Sequence, residues 1–463
     1  MHYDIVIIGA GLSGMAAAIR LSHFGKKVAV LERHYRTGGL NSWYKKGGYL
    51  IDTGLHAMTN YALKDDRRAP LNRMLRQLRV PYDALDLTPQ TQSSVRFSET
   101  YLSFTNSFEH MVEKIQALFP ERLDAFLRLT ETVKAFDAFA YDHTHLSARK
   151  VLTDIIGDGL LQDMLLCPLM YYGSAEEDDM DFRQFVLLFR SVFLEGFSRP
   201  RKGILSLLKL LEERMAAGGV DVMLSTGVKT IMCENGAVRG VTLDNGGIIT
   251  CDGVLSSAGR LETRDMCDDN TGSVQPDGPC RKGAMSFVES VFILDRAPAS
   301  LGFTDCVSFV SWTDQFHFHN PGTLIDPRSA TVCVPSNFTD HDLADERRMI
   351  RVTSIADYAA WKRLSPAEYE SAKQTTRDEQ LAFLEKIGAG ISGHVAFSDT
   401  FTPLTLNRFT SRYNGAIYGT PDKRHDGTTS VSGLYLCGTD QGFLGIVGAL
   451  LSGVSMANYH FLG

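Results

Sequence analysis

Apolar and polar positions fall into blocks of changing period along the chain. Asp4-Ile5-Val6-Ile7-Ile8 is a short β-branched run that predicts a buried parallel strand. Gly9-Ala10-Gly11-Leu12-Ser13-Gly14 follows, then Met15 to Leu21, good helix formers ending near Gly25. Val28-Ala29-Val30-Leu31 is a second apolar run and closes on Glu32. Gly48 to His56 reads as an apolar strand ending in another glycine turn. Residues 108–119 and 123–139 carry apolar side chains at helical spacing. From Leu160 onward apolar residues cover most of the helical circumference, through Phe182, Phe185, Phe189, Phe193 and Phe197. Such a run predicts core, or else the wall of an apolar tunnel or a cap that dips into lipid. Ser286–Leu294 and Thr331–Val334 read as strands. Tyr369–Ile387 reads as an amphipathic helix opened by the capping box Ser365-Pro366-Ala367-Glu368. Near the end, Gly433 to Asp440 reads as a strand and a turn with one carboxylate, and Gly445 to Gly453 as a small-residue helix.

The first block has the order a dinucleotide fold needs: strand, glycine turn, helix, strand, acid. Gly9 allows the tight turn out of the strand, Gly11 lets a pyrophosphate approach the backbone, and Gly14 lets the helix pack near the sheet. Leu12 and Ser13 open the helix, whose N-terminus offers unpaired N–H groups to an anion. Glu32, eighteen residues past Gly14, sits where a carboxylate accepts hydrogen bonds from an adenosine ribose. Beyond it, Arg33 and Arg36 are placed to neutralise phosphate, and Gly38-Gly39 gives a second flexible backbone approach. The same glycine spacing recurs at Gly388-Ala389-Gly390-Ile391-Ser392-Gly393, but there it follows a charged helix, so a helix C-cap and loop is expected.

Composition narrows the class. A chain of 463 residues, 44% hydrophobic and 22% charged, predicts two domains with a large core. The net charge of −7 and the lack of a basic arm argue against a nucleic-acid surface. Eight scattered cysteines without a C-x-x-C pair suggest reduced thiols in a cytoplasmic protein. The first strand starts four residues in, so no cleaved leader is expected, and no apolar run nears the ~18 residues that span a bilayer. His143/His145 and His317/His319 each offer two metal ligands without clear partners, so no metal site is expected. No nucleophile elbow or lysine-bearing phosphate loop appears, which argues against acyl and phosphoryl transfer.

The wording Glu32-Arg33-His34-Tyr35-Arg36-Thr37-Gly38-Gly39 and Gly48-Tyr49-Leu50-Ile51-Asp52-Thr53-Gly54-Leu55-His56 resembles the phytoene desaturase, carotenoid isomerase and retinol saturase flavoproteins, within the amine-oxidase-like superfamily. It looks closest to the retinol-saturase branch. Gly219–Ile231 is similar to that family's internal strand pair, 236–241 and 252–258 to its hairpin and returning strand, and 402–405 and 415–419 to its loop before the last motif. The resemblance implies an α/β protein with a Rossmann-like FAD-binding domain and a second mixed α+β substrate domain with a helical cap. The cofactor domain would combine residues 1–62, 203–262 and 397–463, and the substrate and cap domain 63–202 and 263–396. FAD would lie against Gly9, Gly11, Leu12, Ser13, Gly14, Glu32, Arg33, Gly38, Gly39, Leu40, Asn41, Gly54, Leu55, His56, Val228, Gly438, Asp440, Ile446, Val447 and Gly448. Val228 would place its backbone on the adenine, and Asp440 would bind ribitol hydroxyls, although Thr439 stands where the wider superfamily has its acid.

The activity implied is desaturation or saturation of carbon–carbon bonds in a long polyene, isoprenoid or unsaturated acyl substrate. His56 is the candidate polar catalytic group, with a turn cap or cofactor contact as its alternative role. Rival readings are a redox-neutral isomerase, an amine oxidase, and a prenyl-lipid-binding module like the Rab GDP-dissociation inhibitors. The expected partner is a lipophilic small molecule, loaded by peripheral membrane contact through the Phe-rich stretch 182–197.

Overall fold

The computed structural model describes residues 1–138, 144–268, 278, 280–339 and 345–463; Phe139 and His143 lie outside them. Two large sheets organise the chain. The first has eight strands and draws its members from remote parts of the sequence. His2–Ile8 sits at its centre, parallel to Val28–Leu31 on one side and to Ile248–Ser256 on the other. Asp221–Met223 adds beyond Val28–Leu31, while Leu434–Leu436 runs parallel to the end of Ile248–Ser256. Val228–Glu234 and Ala237–Leu243 form the predicted hairpin, antiparallel to each other. Central strands read as continuous apolar runs because both faces are buried, one against the first and last helices and the other against the hairpin strands. The expected α/β class with a Rossmann-like cofactor portion holds. Its strands end on one edge, where Gly9 N donates to Leu31 O and Ser257 N to Ile8 O, at 2.8 and 2.9 Å.

The first helix, Leu12–Ser22, and the last, Gly445–Phe461, cross over this edge in close contact. Gly453 permits it, since a Cβ there would stand 2.0 Å from Ser13 O, while Gly14 seats the first helix on its own glycine turn, where a Cβ would stand 2.1 Å from Gly9 O. Gly9 itself turns at a φ of +96°.

The second sheet has seven strands in the order Val395–Phe401, Ser286–Leu294, Met349–Ala356, Ser329–Cys333, Val307–Ser311, Ser93–Phe97, Thr100–Phe104. Helices Phe108–Leu118, Leu123–Ala135, Ala148–Ile155, Gly159–Gly173 and Phe182–Phe189 share one apolar core with its near face. The Phe-rich stretch belongs to that core. Phe182, Phe185, Phe189, Phe193 and Phe197 are all at most 2% exposed. Phe193 packs on Phe104 and Phe189, and Phe189 on Phe126, so these rings follow the core reading of the stretch and not the lipid-facing one. Among the described residues, no helix is long and apolar enough to cross a membrane.

Two local readings meet different outcomes. Residues 402–405, expected in a loop, open the helix Pro403–Thr410, because Thr402 and Thr405 cap it reciprocally. The second glycine repeat follows the helix Pro366–Glu385 and leads into a short 3₁₀ turn. The Glu385 carboxylate accepts there from Gly390 N and Ser392 N, so this is a helix end, as expected.

The two sheets are joined at the turn after the strand Tyr49–Asp52. Leu55 O accepts from Arg199 Nη1 at 2.6 Å and from Arg351 Nη1 at 2.8 Å, and both arginine side chains are fully buried. Asp52 Oδ2 accepts from Arg199 Nη2 and from Ile204 N, in the first turn of the helix Gly203–Ala217. Glu289 Oε1 accepts from Arg351 Nε at 2.8 Å. Each buried cation thus has a carboxylate and a carbonyl, without which burial would be prohibitive.

Two outcomes follow from this packing. Gly453→Ala must push the last helix off the first, at a loss of about 1–3 kcal/mol seen as a lower melting temperature; an unchanged melt would show that the crossing tolerates a methyl group. The second concerns acid. Burial alone would raise the Glu289 carboxyl, but Arg351 and His56 hold it at about 2, below its ordinary 4.5. A folded value below the unfolded one means stability that is full above pH 4.5 and fades as pH falls toward 2. Melting temperatures should therefore drop more steeply through that window for the parent than for Glu289→Gln. The variant should start about 3–5 kcal/mol less stable, with Arg351 left beside a neutral amide. Equal slopes would assign the acid transition to other carboxylates.

Candidate functional site

The edge where the parallel strands end opens into a cavity of about 1160 Å³. That exceeds the ~300–1,000 Å³ of an ordinary small-ligand pocket. At one end lies the glycine turn. The first helix has Gly11 at its N-cap, with no side chain bonded to the cap, so its first N–H groups keep their donor capacity. A Cβ on Gly11 would meet nothing within 4 Å, so open space lies in front of this backbone. Gly38 N donates to Ala10 O at 2.8 Å and brings Gly38-Gly39 alongside.

Glu32 is fixed at the same end. Its Oε2 accepts from Ala10 N at 2.7 Å and its Oε1 from His34 N at 2.8 Å. Each oxygen keeps a second lone pair for a ligand hydroxyl. Arg33, Leu40, Asn41 and Val228 continue the wall. Gly438 and Ile446 close it from the C-terminal segment. The last helix also begins here without a side-chain cap.

Of the twenty residues expected at the cofactor, fifteen line this one cavity: Gly9, Gly11, Leu12, Ser13, Glu32, Arg33, Gly38, Gly39, Leu40, Asn41, Gly54, His56, Val228, Gly438 and Ile446. The other five are placed differently. Gly14 faces the backbone of the first turn, Leu55 and Val447 are core side chains, and Gly448 faces the Phe443 backbone. Asp440 is the main departure. It is 1% exposed and is not among the residues that line the cavity. Its Oδ2 accepts from Arg260 N at 2.7 Å and Arg412 Nη1 at 3.0 Å, and its Oδ1 from Thr420 N at 3.0 Å. Burial works against its charge, yet Arg412 and Lys423 hold its pKa below the ordinary value. With its oxygens so engaged, Asp440 braces the turn from behind, while Thr439 stands on the wall. Beside it, burial lowers the Lys423 ammonium to about 8.

At the far end the wall turns aromatic, with Tyr171, Tyr172, Phe287, Tyr418 and Phe443. His56 stands between the two ends. Its Nε2 lies 3.0 Å from Thr353 Oγ1 and 3.2 Å from Glu289 Oε2. Burial lowers the imidazole pKa in spite of Glu289, which favours a neutral ring with Nε2–H directed at that oxygen. Lys46 Nζ and Tyr44 OH pair with Asp399 nearby, at 2.7 and 2.9 Å. Glu289, Thr353, Arg351 and Arg199 were missed by sequence reasoning. A signal for two of them exists: Glu289 and Arg351 are each the single charged residue of a buried strand.

The histidine pairs come out unequally. His145 pairs with Glu176 at 3.1 Å. His317 and His319 are joined by Asp178, their ligand atoms all within 4.8 Å of one another, a third partner absent from the sequence reading. Asp178 Oδ1 also accepts from Phe318 N at 2.7 Å.

Similarity to known proteins agrees with this cavity. The description "flavin containing amine oxidoreductase" matches residues 12–459. A chloroplastic prolycopene isomerase of Daucus carota is 24% identical over 514 residues, covering 99% of this chain and 80% of the relative. A 4,4'-diaponeurosporene oxygenase of Staphylococcus aureus (strain USA300) is 23% identical, covering 90% and 88%. An oxidoreductase structure from Methanosarcina mazei superposes with a TM-score of 0.68 at 18% identity, covering 98% and 99%, a likeness of fold. With a dinucleotide cradle at one end of its cavity and a family match along nearly its whole length, the chain belongs to the flavin-containing amine oxidoreductases and is an FAD-dependent oxidoreductase.

Proposed function

We propose that this enzyme acts on carbon–carbon bonds of a long lipophilic polyene or isoprenoid, by desaturation or saturation. The observation that supports it is the continuity of one cavity from the glycine turn to an aromatic, largely apolar end. When bound, FAD supplies the hydride acceptor or donor. The residues present fit it: the uncapped helix start and the open space at Gly11 suit the diphosphate, and the free lone pairs of Glu32 suit the ribose. Asp440, held by Arg260, Thr420 and Arg412, orients the turn that carries Gly438 and Thr439.

The aromatic end binds substrate by burial, at about 0.8 kcal/mol per CH₂, and excludes water from the reacting bond. His56, held by Thr353 and Glu289, is the polar group between the two ends and the candidate to assist proton movement at the substrate. At this end Glu289 is paired with Arg351 and Asp399 with Lys46. A second reading, redox-neutral isomerisation of a polyene, is supported by the prolycopene isomerase relatives, which align over 98–99% of this chain.

Two experiments test the proposal. The protein should purify yellow with FAD and without FMN, and Glu32→Ala should weaken FAD retention at least tenfold by fluorescence titration, in keeping with about 1.5–3 kcal/mol for charged hydrogen bonds. Unchanged retention would remove Glu32 from the cofactor site. For the chemistry, the co-purifying lipid is extracted, identified by mass spectrometry and mixed with the enzyme in stopped flow. His56→Ala should keep FAD and slow substrate-linked flavin absorbance changes by about 10²–10⁴. A rate within a few-fold of the parent would take His56 off the catalytic path. Substrate altered with no flavin change across turnover would favour the isomerase.

A further inference from the structure

The segment Phe316-His317-Phe318-His319 alternates two aromatic rings with two imidazoles. Phe316 and Phe318 are at most 3% exposed and pack on Tyr171 of the cavity wall, with ring centroids 5.9 and 5.7 Å away. The two histidines alternate with them and are half-buried, and neither lines the cavity. The fold sets Asp178 against them. It stands on the loop that joins the helices Gly159–Gly173 and Phe182–Phe189. One donor atom from each of the three residues lies within 4.8 Å of the other two.

The aspartate is held in place by the histidine segment itself. Asp178 N donates to Phe318 O and Asp178 Oδ1 accepts from Phe318 N, each at 2.7 Å. The pinned residue is thus the one between the two imidazoles. Asp178 Oδ2 remains, 3.0 Å from His319 Nδ1. His317 has no comparable structural task. Its ring lies 5.7 Å from that of His319, and among the described residues neither of its nitrogens has a hydrogen-bond partner. Neighbouring carboxylates are engaged elsewhere: Glu176 with His145, Glu177 with Asn320 N, and Asp179 with Ser147 and Arg149 N. Together they give the loop a negative field that favours a cation. Arg328 also feels Asp178 but is paired with Asp326.

We infer that Asp178, His317 and His319 bind one divalent transition-metal ion, zinc by the class of its donors, with water completing the set. Two imidazoles and one carboxylate suit zinc and its neighbours, whereas magnesium and calcium require shells of oxygen. Donors around zinc sit at ~2.0–2.2 Å, and so about 3.3–3.5 Å apart in a tetrahedron. Side-chain rotation therefore has to close each separation by at most about 1.5 Å. The site lies off the cavity, so the ion takes no part in the redox reaction. Its role is a clasp. It ties the loop between two cap helices to the segment whose phenylalanines back Tyr171.

The test uses the FAD-loaded enzyme, treated with EDTA and then freed of it. Zinc chloride is titrated in competition with a fluorescent zinc chelator, and melting is followed with and without the metal. The parent should bind one equivalent of zinc with micromolar or tighter affinity and melt several degrees higher when loaded. Magnesium chloride should give no such shift. His317→Ala removes no hydrogen bond, so without metal it should melt as the parent does. It should nevertheless bind zinc at least about tenfold more weakly and lose the shift. Asp178→Asn keeps an oxygen for Phe318 N and should show the same loss. A parent that takes up no stoichiometric zinc would overturn the inference. So would undiminished zinc binding by both variants, or an equal shift with magnesium.

Discussion

The carbonyl of Leu55 is the point on which the rest of the molecule depends. Two buried guanidiniums converge on it, from Arg199 and Arg351, and each brings a carboxylate from a different part of the chain. Asp52 reaches toward the helix Gly203–Ala217, and Glu289 sits in the middle of the second sheet. A lone buried charge would cost several kcal/mol, so none of these four side chains is separable from the others. What the arrangement secures is direction. The turn that carries His56 is held by its own backbone, His56 O included, and the imidazole then meets Glu289 and Thr353 from a fixed base.

The cradle at the other end works through absence of side chains. Gly453 lets two helices cross closely, Gly14 lets the first of them sit against its own turn, and Gly11 leaves room where that helix begins. Both helices start at the cavity with uncapped N-termini. A side-chain cap there would compete with a ligand phosphate for the same donors, so its absence suits the cofactor more than the fold alone.

Much of this was legible in the sequence because it rests on local signals. The strand Val28–Leu31 and the strand Ser286–Leu294 fall where the apolar runs placed them, and Glu32 meets the glycine turn as its spacing implied. Side-chain direction was less legible. Asp440 sits in the expected motif, but the guanidinium of Arg412 and the amides of Arg260 and Thr420 turn it inward, and those partners lie up to 180 residues away. The clamp on Leu55 was hidden for the same reason, with 296 residues between that carbonyl and Arg351. The Phe-rich stretch shows the converse error. Its apolar density suited a lipid-facing cap as well as a core, and only the packing of Phe104 and Phe126 against it decides between them.

The charges along the cavity are segregated, and that bears on what it can do. At the aromatic end Glu289 is balanced by Arg351 and Asp399 by Lys46, leaving little net field over an apolar chain. At the glycine end the helix start contributes partial positive charge and Glu32 a localised negative one, a pattern suited to a diphosphate flanked by a ribose. His56 lies where the two regimes meet, and burial favours its neutral form. A charged imidazole there would add an unbalanced field in a low-dielectric cavity, next to a lipophile with no charge of its own to answer it. In the proposed reading, a neutral ring leaves His56 able to act on a proton without repelling an apolar ligand from the site.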